Sequence, residues 1–185
     1  MREVHYSPDL PLYRSIDFGF SNPLACLFIQ LDARGRVLVI DEHVKSRTTL
    51  AEQARLIRQR YPQRVEATYC DPAGAAWHEI TGTSIVTELA ACGMPVRYRP
   101  SRVLDGVELI RQYLAPAAGE ARLVVAPRCV NLIAAFRNLR FERLAGGAWS
   151  EQPAKDGVHD HILDALRYFF VNRLSRGAEL REKRY

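Results

Sequence analysis

The stretch that decides the fold is residues 13–45, YRSIDFGFSNPLACLFIQLDARGRVLVIDEHVK. Residues 13–19 read as a short strand ending in a polar turn. Residues 25–31 are a mostly apolar strand, Asp32-Ala33-Arg34-Gly35 a hairpin turn, and 37–40 a third strand continuing towards Val44. Three strands joined by short loops predict an antiparallel meander. Upstream, residues 1–12 hold two prolines and no periodicity, which predicts an N-terminal tail or linker.

Downstream the apolar period changes from about 2 to about 3.6. Thr49-Leu50-Ala51-Glu52 is a capping box, and Leu50, Ala54, Ile57 and Tyr61 share one face of a helix ending before Pro62. Residues 66–70 predict a strand that delivers Asp71 at its C-terminal end, where Pro72-Ala73-Gly74 breaks it. Further helices are expected at 84–92, 103–114 and 129–140, with strands at 96–98 and 122–125. A hairpin turning at Gly146-Gly147 follows, then a last helix over 158–174. A meander followed by alternating helices and strands predicts an α/β fold: a mixed sheet with helices on both faces. The expected layout is one domain over 13–176 and a basic C-terminal tail over 177–185.

Composition narrows the function. With 48% apolar and 25% charged residues in 185, the chain is ordinary globular material, neither disordered nor collagen-like. Cys26, Cys70, Cys92 and Cys129 are scattered without a CxxC pair, so they read as small apolar residues of a reducing compartment. No stretch approaches the ~20 apolar residues of a membrane span and the first residues open no signal peptide, which predicts a soluble intracellular protein without a membrane partner. The net charge is +5, and all cations but Lys45, Lys155 and Lys183 are arginine. That favours either a polyanionic partner or a merely solvated basic surface.

Three acidic sites stand out by position. Asp17 sits in an otherwise apolar strand, Asp71 ends a later one, and Asp160, His161 and Asp164 head the last helix. His161 and Asp164, three apart, share a helix face, whereas Asp160 is turned towards the other flank. Singly, Asp17 suits a turn, Asp71 a cap and Asp160 a helix dipole. Jointly they can converge on one point. Converging carboxylates repel, so their coexistence implies a cation. Oxygen ligands with one imidazole suit Mg²⁺ or Mn²⁺, and two such ions serve in-line displacement at phosphorus, the chemistry of a nuclease. For phosphate contacts the candidates are Arg99 and Arg102, beside Pro100, and Lys155 before the last helix.

Residues 16–23 (IDFGFSNP), 69–74 (YCDPAG) and 159–168 (HDHILDALRY) resemble the C-terminal nuclease domain of the large terminase subunit of tailed bacteriophages. Ser101-Arg102-Val103-Leu104-Asp105-Gly106-Val107 is similar to the segment joining the middle strands in that family. The resemblance runs from about Arg14 to Asn172. It implies an RNase H-like fold, related to resolvases and integrases, that cuts concatemeric double-stranded viral DNA. The family's three acidic Mg²⁺ or Mn²⁺ positions fall on Asp17, Asp71 and Asp164. His161 matches a further metal-touching position, with Asp160 as an alternative. The implied partners are a motor ATPase domain, the small terminase subunit and the portal. The implied location is the host cytoplasm, with the protein absent from the mature virion. The chain carries no GxxxxGK[ST] loop, so no nucleotide is expected on this domain. Other readings are a Holliday-junction resolvase-like or other RNase H-like nuclease, a nucleotide-binding module of the sugar-kinase type, and a non-catalytic DNA-binding scaffold.

Overall fold

The computed structural model describes residues 3–19, 23–61, 63–79, 82–117, 119–143, 147, 149–153, 157 and 159–175, with only the backbone course at 142 and 149–153. Strands β1 (Leu12–Asp17), β2 (Leu24–Leu31) and β3 (Val37–Lys45) form the expected antiparallel meander. Asp32 builds its second turn by accepting from the amides of Arg34 and Arg36 at 2.9 and 2.8 Å. Gly35 supplies the left-handed residue, at φ 71°. Helix α1 (Leu50–Arg60) starts where Thr49 accepts from the Glu52 amide. Strand β4 (Val65–Cys70) then returns parallel to β1, with Cys70 opposite Ile16.

After β4 come α2 (Ile85–Ala91), α3 (Val103–Leu114), β5 (Leu123–Val125), α4 (Val130–Asn138), the hairpin β6–β7 (Phe141–Arg143 and Trp149–Pro153) and α5 (Asp160–Phe169). The five-stranded sheet has the order β4-β1-β2-β3-β5, with β5 parallel to β3. β2 is buried along all but its last residue, as a central strand covered on both faces must be.

The two faces are assigned by parity. Tyr13 packs on Phe169 of α5 at 5.7 Å and is stacked with Tyr69, so Tyr13, Ser15 and Asp17 look towards α5. Phe28 meets Tyr61 at the end of α1, and Asp41 and His43 bond Arg60 and Gln53, so those side chains lie on the α1 face. Among the described residues no helix is long and apolar enough to cross a membrane.

Two expectations need correction. Residues 96–98 are no strand: a single parallel bridge joins Arg97 to Tyr69, because Pro95 and Pro100 bracket the segment and neither can donate to a ladder. The last helix, expected from about 158, is assigned from Asp160 with His159 as its N-cap. It closes through a wider π-type turn, Phe170–Leu174, where Asn172 Nδ2 donates to the Tyr168 carbonyl at 2.7 Å. Val158, Gly146, Lys155 and the expected tail at 177–185 lie outside the described residues.

Candidate metal centre

β1 and β4 run side by side in the same direction, and each delivers a carboxylate at its C-terminal end. The Ile16–Cys70 pairing sets Asp17 and Asp71 next to one another. Helix α5 lies across β1, β2 and β4, and its first turns bring Asp160, His161 and Asp164 to the same end of the sheet. The imidazole Nδ1 of His161 lies 2.5 Å from Asp17 Oδ2, a short bond between residues 144 positions apart.

Asp71 caps a 3-10 turn, Pro72–Ala75, by accepting from the Ala73 amide at 2.9 Å. Gly74 in that turn packs against the ring of Phe18, the residue after Asp17. A Cβ there would stand 3.0 Å from Phe18 Cδ2 and closer still to Cε2. The absent side chain therefore lets the Asp71 turn settle against the end of β1.

The electrostatics show that the acids converge. Asp17, only 5% exposed, has its pKa raised by burial, lowered by the His161 bond, and raised again by the charges of Asp164 and Asp71. His161 is raised by its bond to Asp17 against the opposing effect of burial, with Asp160 and Asp164 adding to the rise. The buried phenol of Tyr168 is pushed up by desolvation and then by Asp17, Asp164 and Asp71 together. Positions 161, 164 and 168 fall on one helix face.

As the side chains stand, no three His, Cys, Asp or Glu groups among the described residues close round a point as a filled metal cage does. Asp71 is engaged with Ala73, and Asp164 Oδ1 accepts from Arg167 Nε at 2.8 Å. The donor set nonetheless fits a hard divalent cation. Buried His161 Nε2 and Asp160 Oδ1 have no partner among the described residues. Clustered carboxylate oxygens with one imidazole are ligands for such an ion.

The structure thus groups Asp17, Asp71, Asp164, His161 and Asp160. Arg102 is exposed at the head of α3, whereas Arg99 is partly buried and donates to the Val171 carbonyl at 3.4 Å. Sequence reasoning read Gly74 only as part of the break after Asp71 and gave Arg167 and Tyr168 no role of their own. The i,i+3 and i,i+4 spacings from Asp164 were the available signal for the latter two.

A family model described as the terminase RNaseH-like domain matches residues 14–173. The large terminase of a thermophilic bacteriophage superposes with a TM-score of 0.72 at 20% identity, covering 94% of this chain and 42% of that one. The nuclease domain of the P22 large terminase gives 0.71 at 18%, covering 94% and 86%. That of bacteriophage SPP1, solved with bound Mn, gives 0.63 at 19%, covering 89% and 87%. Among curated proteins no sequence matches.

Proposed function

The chain belongs to the terminase RNaseH-like domain family, and on that premise we propose that it is a divalent-metal-dependent endonuclease cutting double-stranded viral DNA concatemers during genome packaging. The observation that carries the reading is the convergence of Asp17, Asp71 and Asp164 on one sheet end, where their charges act on the same buried groups. A structural role for so many like charges would require compensating cations. Of the three, Asp164 has an arginine partner in Arg167 and Asp17 a histidine partner in His161.

In this reading Asp17, Asp71 and Asp164 hold Mg²⁺ or Mn²⁺, two ions at the working site, with His161 as a further ligand and Asp160 beside it. Divalent ions there supply charge stabilisation on the phosphoryl oxygens and lower the pKa of the attacking water. Asp17, fixed by β1 and by His161, serves as the rigid anchor. Asp71 is held by its turn and Asp164 by α5, so both present an oxygen from pre-set backbone. The Mn-bound SPP1 nuclease domain supports the choice of metal.

The chain spans 42% of the thermophilic phage's large terminase, and in a protein of that length we place a motor ATPase in the remainder, with small terminase and portal as partners. The test is cleavage of supercoiled plasmid by the purified chain against a Mg²⁺ and Mn²⁺ titration, with Asp71→Ala alongside. Metal-dependent nicking abolished by Asp71→Ala is expected. Cleavage that survives EDTA, or equal activity in the variant, would overturn the assignment.

A further inference from the structure

Arg167 is the most enclosed cation near the carboxylates, at 8% exposure. Such burial removes it from contact with a DNA phosphate. Its Nε donates to Asp164 Oδ1 at 2.8 Å, and its guanidinium carbon lies 4.5 Å above the ring of Tyr168. The stem of the side chain runs against α3 at Gly106. A Cβ on Gly106 would stand 2.9 Å from Arg167 Cδ, closer still to its Cγ, and 3.1 Å from Val171 Cγ1. Glycine is a poor residue for a helix interior, and here its missing side chain is the space the arginine occupies.

From these contacts we propose that Arg167 is a positioning residue for Asp164, and that Gly106 is the notch in α3 that lets it reach. The inference rests on the reading of Asp164 as a metal ligand and names what holds that ligand. The guanidinium bonds Oδ1, so the carboxylate plane is set before an ion arrives. Tyr168 keeps the guanidinium flat, which a lysine ammonium at this place would not reproduce. Groups that orient a ligand in this way are worth roughly 10- to 100-fold in metal affinity.

The test is the Mn²⁺ binding isotherm of the DNA-free chain, by calorimetry or by the electron-spin signal of free Mn²⁺, with circular dichroism reporting the fold. Gly106→Ala and Arg167→Ala should each weaken Mn²⁺ binding by roughly tenfold or more, and Arg167→Lys should fail to restore it. The double variant Arg167→Ala/Gly106→Ala should bind no worse than Arg167→Ala, because the clash is with the arginine's own stem. Should Gly106→Ala not fold, Arg167→Gln and Arg167→Lys carry the measurement. Unchanged isotherms would overturn the proposal, and tighter binding would do so too by making Arg167 a competitor of the ion. Additive losses in the double variant would remove Gly106 from it. A wild-type chain that binds no Mn²⁺ would instead overturn the metal reading on which the inference stands.

Discussion

Strand β3 and the β1–α5 junction both bury carboxylates, and they treat them in opposite ways. Asp41, Glu42 and Asp17 are 5%, 7% and 5% exposed, so burial does not separate them. Donors do. Asp41 accepts from Arg60 Nε at 2.7 Å, Arg60 Nη2 at 3.0 Å, the Glu42 amide at 2.9 Å and the Tyr61 hydroxyl at 3.3 Å. Glu42 accepts from the Asn131 amide and side chain, both at 2.7 Å, and from the Leu132 amide at 3.0 Å. It thereby caps α4, whose own N-cap residue supplies no side-chain bond. Asp17 has His161 and, around it, more negative charge. A buried acid with every oxygen matched holds the fold together. One left beside its own kind is poised for a cation, and that is the mark of a working site.

The comparison breaks most sharply under substitution by the neutral isostere. Asp17→Asn should abolish metal-dependent cleavage, roughly a hundredfold or more, while moving the metal-free thermal midpoint little, because the repulsion from Asp164 and Asp71 goes together with the bond to His161. Asp41→Asn should do the reverse. It leaves Arg60 without its anion and should cost about 1–3 kcal/mol in a denaturant melt, the low side of a buried pair because Arg60 is 45% exposed. Residual cleavage at a fixed fraction folded should match wild type. If Asp41→Asn loses the chemistry while Asp17→Asn loses the stability, the distinction between the two regions is gone.

Next in size is His161. It bonds Asp17 directly and has a free buried Nε2, whereas Asp160 stands at the helix start with Oδ1 unpartnered. His161→Ala should raise the metal concentration needed for half-maximal cleavage by roughly tenfold, and Asp160→Ala by less. An Mn²⁺-soaked crystal with the ion on Asp160 and the imidazole turned away would reverse that ranking.

Much of this was legible in the sequence. The meander follows from alternation and the Asp32–Gly35 turn, and α3 occupies the span its apolar spacing predicts. The grouping of Asp17, Asp71 and Asp164 needed only strand ends and one crossing helix. What escaped depends on distant partners. The sequence brings His161 near Asp17, but nothing local says that the two will bond directly across 144 positions. Gly106 reads in sequence as a weak point of a helix, and only the packing of α3 on α5 makes it a space for Arg167. The segment around Arg97 has strand-like residues, but its flanking prolines limit it to one bridge. Asp41, Glu42 and His43 look like the polar end of a strand, and their partners arrive from α1 and α4.

Proton binding gives a smaller effect with a definite sign. His161 has its pKa raised above its ordinary 6.5 by the bond to Asp17. The folded state therefore holds that proton more tightly than the unfolded chain, and the stability it contributes is complete below about 6.5 and lost as pH rises through the raised value. Asp17, raised above its ordinary 3.8 by burial, acts in the same direction from lower pH. The thermal midpoint of the metal-free protein should accordingly fall as pH climbs above 6.5, and His161→Ala should flatten that fall. A midpoint that rises over the same window would show the pair to be absent in solution.

The smallest effect belongs to the arginines, and it separates two that are neighbours in sequence. Arg102 is exposed at the start of α3 without a side-chain cap bond, while Arg99 is tied to the Val171 carbonyl beyond α5. If the grip on DNA is electrostatic, log affinity falls linearly with log salt, and each phosphate contact contributes about −0.9 to the slope. Arg102→Ala should therefore make the slope shallower by about 0.9, measured by fluorescence anisotropy in EDTA so that no cleavage intervenes. It should weaken all duplex sequences alike, because phosphate contacts carry no base information. Arg99→Ala should leave the slope nearly intact and lower the thermal midpoint instead, since its guanidinium serves the packing of α5. Equal slope changes in the two variants would show that the hydrogen bond to Val171 opens when DNA binds, and would return Arg99 to the binding surface.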